Sequence, residues 1–290
     1  MISYVTVATR PHRQLDVLQK QYKDQGIDLH VLGMGNNDLT PENKGVNWGV
    51  KLEYFRLFVQ DPNRNPSDIL VFTDAYDVLL NGSLDDLVAK YKDMKCDIIF
   101  GAEANCHPYP MITDIYPPPP ANAPYPYLNS GMFMGTVEAI ARIYAMFDYT
   151  LATDDQGYWT RVYLSQYVEK SSFTEGNSVI TLDFRASIFQ NMLLAGEHME
   201  LEADGTYRNR FFETRPNFLH FPGSQVKGLL SICERKEPIS SWSAARVNML
   251  SEAGIMLRYC TYNNTISALI VLLVITLGIL VYKFHRCRTT

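Results

Sequence analysis

"VFTDAYDVLL", Val71 to Leu80, carries an apolar run into two carboxylates set three residues apart, Asp74 and Asp77. In an open parallel sheet, ligands bind beyond the carboxyl ends of the strands, and Asp74 stands at such an end. On a turn leaving the strand, both side chains can point at one hard cation, which prefers carboxylate oxygen. A divalent ion there would bridge a diphosphate and offset the charge that builds on a departing nucleoside diphosphate. An ordinary acidic turn has the same spelling, so the surrounding sequence has to decide between the two.

Outward from that stretch, apolar runs of strand length alternate with helical periodicity. "YVTVAT" precedes the amphipathic "QLDVLQKQYKDQG", with Gly26 as its stop, and then "LHVLGMG". The helix-like "VKLEYFRLFVQD" leads to the strand "DILVFT", and "GSLDDLVAKY", where Ser83 and Asp86 are spaced as a capping box, leads to "CDIIFGAE". This repetition predicts an α/β, Rossmann-like nucleotide-binding half with a mostly parallel central sheet. "YPPPPANAPYPY" then forbids helix and interior strand alike and predicts a stiff loop. The strand "YLNSGMFMG", the helix "VEAIARIYAMF" and an acidic helix start at "TDDQGYWTRVYL" follow. Lys227 to Tyr262 has weak periodicity and reads as a tail.

The chain has 290 residues, 47% of them hydrophobic and 20% charged, which suits a globular core and excludes wholesale disorder. A net charge of −5 and the lack of an arginine-rich stripe give no reason to expect nucleic acid. Cys96, Cys106, Cys233, Cys260 and Cys287 are scattered, with no CxxC pair to suggest zinc. "ISALIVLLVITLGILVY", Ile266 to Tyr282, is an uncharged run long enough to span a bilayer core, and Lys283, His285, Arg286 and Arg288 follow it. The expected organisation is a catalytic domain over 1–227, a tail and linker over 228–264, a transmembrane helix over 265–283 and a basic tail over 284–290. That makes the chain a single-pass membrane protein with a C-terminal anchor. "MISYVTVATRPHR" lacks the look of a signal peptide, which favours a tail anchor with the domain in the cytosol, whereas the basic tail favours a lumenal domain. The sequons Asn81-Gly82-Ser83 and Asn263-Asn264-Thr265 offer a readout of that choice.

The ordered series "TVAT", "LGMG", "GVK", "FTDAYDV", "GAEANC", "YLNSGMFMG", "DDQGYWTRVYL", "LDFRASIFQN" and "HFPGS" resembles the glycosyltransferase domain of the procollagen lysyl hydroxylases over Tyr4 to about Lys227. The resemblance implies a GT-A-type fold using manganese and a UDP-sugar, with a protein or glycan acceptor such as hydroxylysine or galactosyl-hydroxylysine in collagen-like sequence. No His-x-Asp pair occurs in the chain, so lysine hydroxylation is not implied. Carried over by residue, it makes Asp74, Asp77 and His220 the metal ligands. Two carboxylates and an imidazole suit that role, although a lone histidine is also a common polar core residue. Tyr76 would stack on uracil, Thr9 would meet the nucleotide, and Lys51 would neutralise diphosphate charge. Asp154 and Asp155 would face the transferred sugar and the acceptor, where a carboxylate can bind hydroxyls or accept a proton. Thr153 to Gln156 also reads as a capping box, which would give both aspartates a structural reason to be there. Glu103, Asn129, Ser130, Gln190 and Asn191 would lie near the sugar.

Two departures stand out. His107 takes the place of a family tryptophan beside the sugar, and Pro222 that of an asparagine after the metal histidine. Three functions follow: a manganese-dependent hexosyltransferase, a non-catalytic sugar-nucleotide or glycan-binding descendant, and a tethered interaction scaffold. An uncompensated acidic cluster has no use in a scaffold.

Overall fold

The computed structural model describes residues 1–35, 49–168, 180–263 and 275–276. Strands β1 (Ile2–Val7), β2 (Leu29–Leu32) and β3 (Ile69–Thr73) alternate with helices α1 (Arg13–Asp24) and α2 (Gly49–Val59). β4 (Val78–Leu80), α3 (Leu87–Asp93), β5 (Ile98–Glu103), β6 (Tyr127–Thr136), α4 (Val137–Met146) and α5 (Asp155–Val168) follow. β7 (Ile180–Asp183), β8 (Phe189–Asn191), β9 (Met199–Leu201), β10 (Tyr207–Asn209) and β11 (Phe218–His220) complete the strands, and helices Lys227–Glu234 and Ser241–Asn263 come last. β9 and β10 form a separate antiparallel pair.

The central sheet runs β2-β1-β3-β6-β5-β8-β11-β4, with β7 beside β5. β1 is parallel to β2 and β3, and β5, β8 and β11 are parallel in turn. β6 runs antiparallel between β3 and β5. Mixed α/β architecture with a mostly parallel sheet is therefore what the alternation of runs expresses. Both faces are covered. Leu70, Phe72, Phe100 and Phe133 face α2, α4 and α5, while Val71, Ile99, Met132 and Met134 face α1 and α3. Burial on both faces explains why these strands read as continuous apolar runs rather than as alternation.

Two details depart from the sequence reading. "VLL" after Asp77 is not just a turn's exit: it is β4, an edge strand antiparallel to β11 with Val78 opposite His220. The Ser83–Asp86 capping box does not form. Ser83 Oγ accepts from Asp85 N–H in a turn, and α3 begins only at Leu87, with Asp86 turned toward Asn217 and Lys90. The stretch after Lys227 is also ordered, since Leu229, Leu230, Cys233 and Val247 share a buried cluster with Leu79, Met192 and Leu219. Asn81, just beyond β4, is buried: its Nδ2 donates to Tyr207 O (2.7 Å) and Pro216 O (2.8 Å), and its Oδ1 accepts from Tyr207 N–H (2.7 Å). It pins the edge strand to the β9–β10 pair.

Among the described residues, no helix is long and apolar enough to cross a membrane. The span expected over 265–283 lies outside the described residues except for Ile275 and Thr276, and the basic tail lies wholly outside them.

Candidate active site

β3 ends at Thr73, and the chain turns through Asp74 and Asp77 before β4 carries it to the other edge of the sheet. Asp74 N–H donates to Gly131 O on β6 (2.7 Å), and Phe221 N–H donates to Asp77 O (2.8 Å). Pairing of β4 with β11 therefore brings His220, distant in sequence, to the acidic turn. His220 Nε2 lies 3.7 Å from Asp74 Oδ2 and 3.5 Å from Asp77 Oδ1. One donor atom from each residue lies within 4.8 Å of the others.

Two lysines close the cluster. Lys51 Nζ, from α2, is 2.6 Å from Asp74 Oδ1 and 2.6 Å from Asp155 Oδ2. Lys227 Nζ lies 3.1 Å from Asp77 Oδ2 and 3.1 Å from Phe221 O. The two carboxylates of the turn consequently differ. Burial raises the Asp74 carboxyl above its ordinary value, against the attraction of Lys51. Burial alone would raise Asp77 too, but hydrogen bonding to His220 and the nearby Lys227 outweigh it and hold this group at about 2. Burial would lower Lys51, yet Asp155 and Asp74 keep it charged.

These residues fit a divalent cation. Two carboxylates and one imidazole form a mixed oxygen and nitrogen donor set suited to such an ion. Gly131 supplies the space: a Cβ there would lie 2.2 Å from His220 Cε1 and 2.8 Å from Asp74 Oδ2. A β-bulge makes this possible. The β5–β6 register shifts between Phe100 and Gly101, pairing Phe100 with Phe133 but Gly101 with Asn129, so Ser130, Gly131 and Met132 are left unpaired with β5, and Ser130 and Gly131 lie at the site.

The other expected residues spread outward from this centre. Ser130 Oγ donates to Asp155 Oδ2 (3.1 Å). Asn129 Nδ2 donates to Glu103 Oε1 (3.2 Å), and both residues are buried. Gln190 Oε1 accepts from Asn209 Nδ2 (2.7 Å), while Asn191, opposite His220 in the β8–β11 register, keeps a buried Nδ2 without a protein partner. Tyr76 packs beside His12, with ring centroids 5.0 Å apart, and its hydroxyl donates to Arg10 O (3.1 Å). Thr9 is exposed just past β1.

Asp154 and Asp155 separate. Asp154 Oδ1 accepts from Gly157 N–H (2.6 Å), which is a helix cap, whereas Asp155 is buried against Lys51 and Ser130. The Thr153–Gln156 capping box is not made. Thr153 Oγ1 accepts from Thr150 N–H (2.8 Å), and Gln156 reaches away from the helix start to bond Ser130 N–H (2.7 Å), Leu128 O (2.5 Å) and His107 O (3.3 Å). Sequence reasoning missed Lys227, Gly131 and Gln156. The glycine inside the buried run "YLNSGMFMG" was the available signal, since a strand glycine often marks a bulge or a close approach. A cleft of about 690 Å³ opens elsewhere, between α1, the Asn81 turn and Lys236, and contains none of these residues.

Residues 1–234 match the family described as the PLOD GT domain. Among curated proteins, the chain is 28% identical over 228 residues to a Drosophila melanogaster procollagen-lysine,2-oxoglutarate 5-dioxygenase, covering 77% of this chain and 30% of that protein. It is 29% identical over 229 residues to a Caenorhabditis elegans multifunctional procollagen lysine hydroxylase and glycosyltransferase, covering 76% of this chain and 30% of that protein. The chain thus spans about a third of the length of these relatives. Similar solved structures include a glycosyltransferase involved in glycosylation of the major capsid of PBCV-1, with a TM-score of 0.45 and 10% identity, covering 81% of this chain and 98% of that one. The galactosyltransferase LgtC, in complex with donor and acceptor sugar analogs, gives a TM-score of 0.43 and 12% identity over 87% of this chain and 96% of that one.

Proposed function

This chain belongs to the PLOD GT domain family, and from that premise we propose that it is a metal-dependent glycosyltransferase moving a hexose, galactose or glucose, from a UDP-sugar to a hydroxyl acceptor. The observation that carries the reading is the meeting of Asp74, Asp77 and His220 around the space left by Gly131, with Lys51 and Lys227 at its rim. Manganese held by the three ligands would supply Lewis-acid charge at a diphosphate. Lys51 and Lys227 sit against these carboxylates and are close enough to exchange a carboxylate for a phosphate oxygen. Tyr76 offers a ring for uracil. Asp155, with Ser130, stands beside Lys51 where a sugar or acceptor hydroxyl can be bound. Asp154 caps α5 and is assigned no chemistry by its contacts.

The acceptor proposed is hydroxylysine or galactosyl-hydroxylysine in a collagen-like protein, by analogy with what the curated relatives are called. Attachment to a membrane through the uncharged run Ile266–Tyr282 is part of the same reading. UDP-sugar hydrolysis, measured with UDP-galactose and UDP-glucose with and without manganese, is the test. Manganese-dependent turnover of one donor is expected. UDP binding without turnover of either would leave a sugar-nucleotide-binding protein in its place, as the His107 and Pro222 departures allow.

A further inference from the structure

Over Ser241 to Leu257, the last helix (Ser241–Asn263) carries apolar side chains on two opposite faces, and the fold uses only one. Ala244, Val247 and Ser251 are buried, Ala244 lies against Gly196, and the helix packs on the short 3-10 turns Gly196–His198 and Pro110–Ile115. On the opposite side, Trp242 (65% exposed), Met249 (64%) and Met256 (57%) recur every seven residues, with Leu250 and Leu257 beside them. A seven-residue spacing is close to two helical turns, so these side chains form one stripe. From Ser241 to Leu257 the charged residues are Arg246 and Glu252, and the Arg246 guanidinium sits 5.5 Å from the Trp242 ring centroid. A stripe of large apolar side chains this long is abnormal for a surface in water.

We infer that this stripe rests on a lipid surface, with helix Ser241–Asn263 lying along the bilayer interface rather than standing off it. The inference relies on the membrane anchor proposed above. Asn263 is separated from the start of the uncharged run at Ile266 by only Asn264 and Thr265, three chain steps that reach about 11 Å when extended. The helix end is thereby confined to the headgroup region, and whatever the stripe exposes there meets lipid. Its composition fits that setting: a tryptophan paired with an arginine suits the boundary between headgroups and acyl chains, and methionines and leucines suit the outer hydrocarbon. A second copy of the chain is the competing occupant, and nothing on this face other than its apolarity favours one. The same helix touches the turn after Tyr109, whose hydroxyl stands 3.3 Å from where a Cβ of Gly157 would be, next to Asp154. Contact with the bilayer would then fix the direction in which the acceptor side of the site faces.

The test uses the full-length protein in nanodiscs of phosphatidylcholine brominated near the headgroup, comparing wild type with Trp242→Phe. Bromine should dim wild-type tryptophan emission, and the variant should lose most of that quenching while keeping its unfolding midpoint, because Trp242 is exposed. Trp48 and Trp159 are common to both proteins and supply the shared background, Trp159 from within the core. Equal quenching in the two proteins would overturn the inference. So would efficient cross-linking of Met249→Cys between copies in the same discs, which would give the stripe to a dimer. Alkaline extraction keeps the two readings apart: release of the protein from membranes removes the anchor itself, whereas retention without Trp242 quenching removes only the interfacial helix.

Discussion

Asp74 and Asp77 look equivalent in the sequence, and mutual repulsion would be expected to dominate both. The structure gives each a cation instead, Lys51 for one and Lys227 for the other. Asp77 is the better satisfied. Its folded-state value, about 2, lies below the ordinary 3.8, so it stabilises the fold above pH 4 by roughly 2 kcal/mol, a contribution lost as pH falls toward 2. Asp77→Asn should therefore lower the melting temperature by several degrees, whereas Asp74→Asn, which neutralises a group that burial disfavours as an anion, should hold or slightly raise it. Both should weaken manganese-dependent UDP binding by about 100-fold or more, as calorimetric titration would show. Unchanged affinity in either would end the case for a metal site. Gly131→Ala puts a methyl group into His220 and Asp74 and should cost about 1–3 kcal/mol together with metal-dependent binding. The carboxylates and the histidine were legible as letters of the right chemistry. Gly131 and Lys227 were not, because what makes them matter is a bulge and a strand pairing that no local pattern spells out.

At the level of elements, β4 and α5 position the centre. "VLL" is too short to announce itself as a strand, yet its antiparallel pairing with β11 is what places Asp77 beside His220. The helix start "TDDQ" was ambiguous for a physical reason: acidic residues in a first turn favour the helix whether or not they also touch a substrate. Contacts divide the work. Asp154→Ala should remove the Gly157 cap and cost about 1 kcal/mol, with Asp154→Asn nearly neutral and turnover retained in both. Asp155→Asn should instead cut turnover sharply while leaving manganese and UDP affinity within a few fold, since its partners are Lys51 and Ser130 rather than the backbone. Wild-type turnover in Asp155→Asn would take it out of the chemistry. Gln156, read as half of a capping box, bonds β6 and the His107 loop, and only the folded sheet reveals that the reach is possible.

For the whole molecule, the alternation of apolar runs and amphipathic segments conveyed the α/β architecture well, because strands buried on both faces must be continuously apolar. The C-terminal helices were less legible. Helix Ser241–Asn263 is apolar on two faces, which erases the one-sided periodicity by which helices are read. The far edge of the sheet holds a further consequence, at Asn81. Replacing it with alanine would leave Tyr207 and Pro216 backbone groups buried without partners and should cost at least about 2 kcal/mol in denaturant unfolding. Asn81 is also the first residue of a sequon, and an amide nitrogen that bonds two buried carbonyls has no room for an oligosaccharide. Sugar transfer to such a site happens before a chain closes up, so the modification and the native state exclude each other. In a glycosylating lumen this protein should split into a sugar-bearing misfolded fraction and a bare folded one. Ser83→Ala, which abolishes the sequon at an exposed position and spares Asn81, should merge the two populations and raise the folded yield; an unchanged yield would mean that the edge strand tolerates the sugar after all.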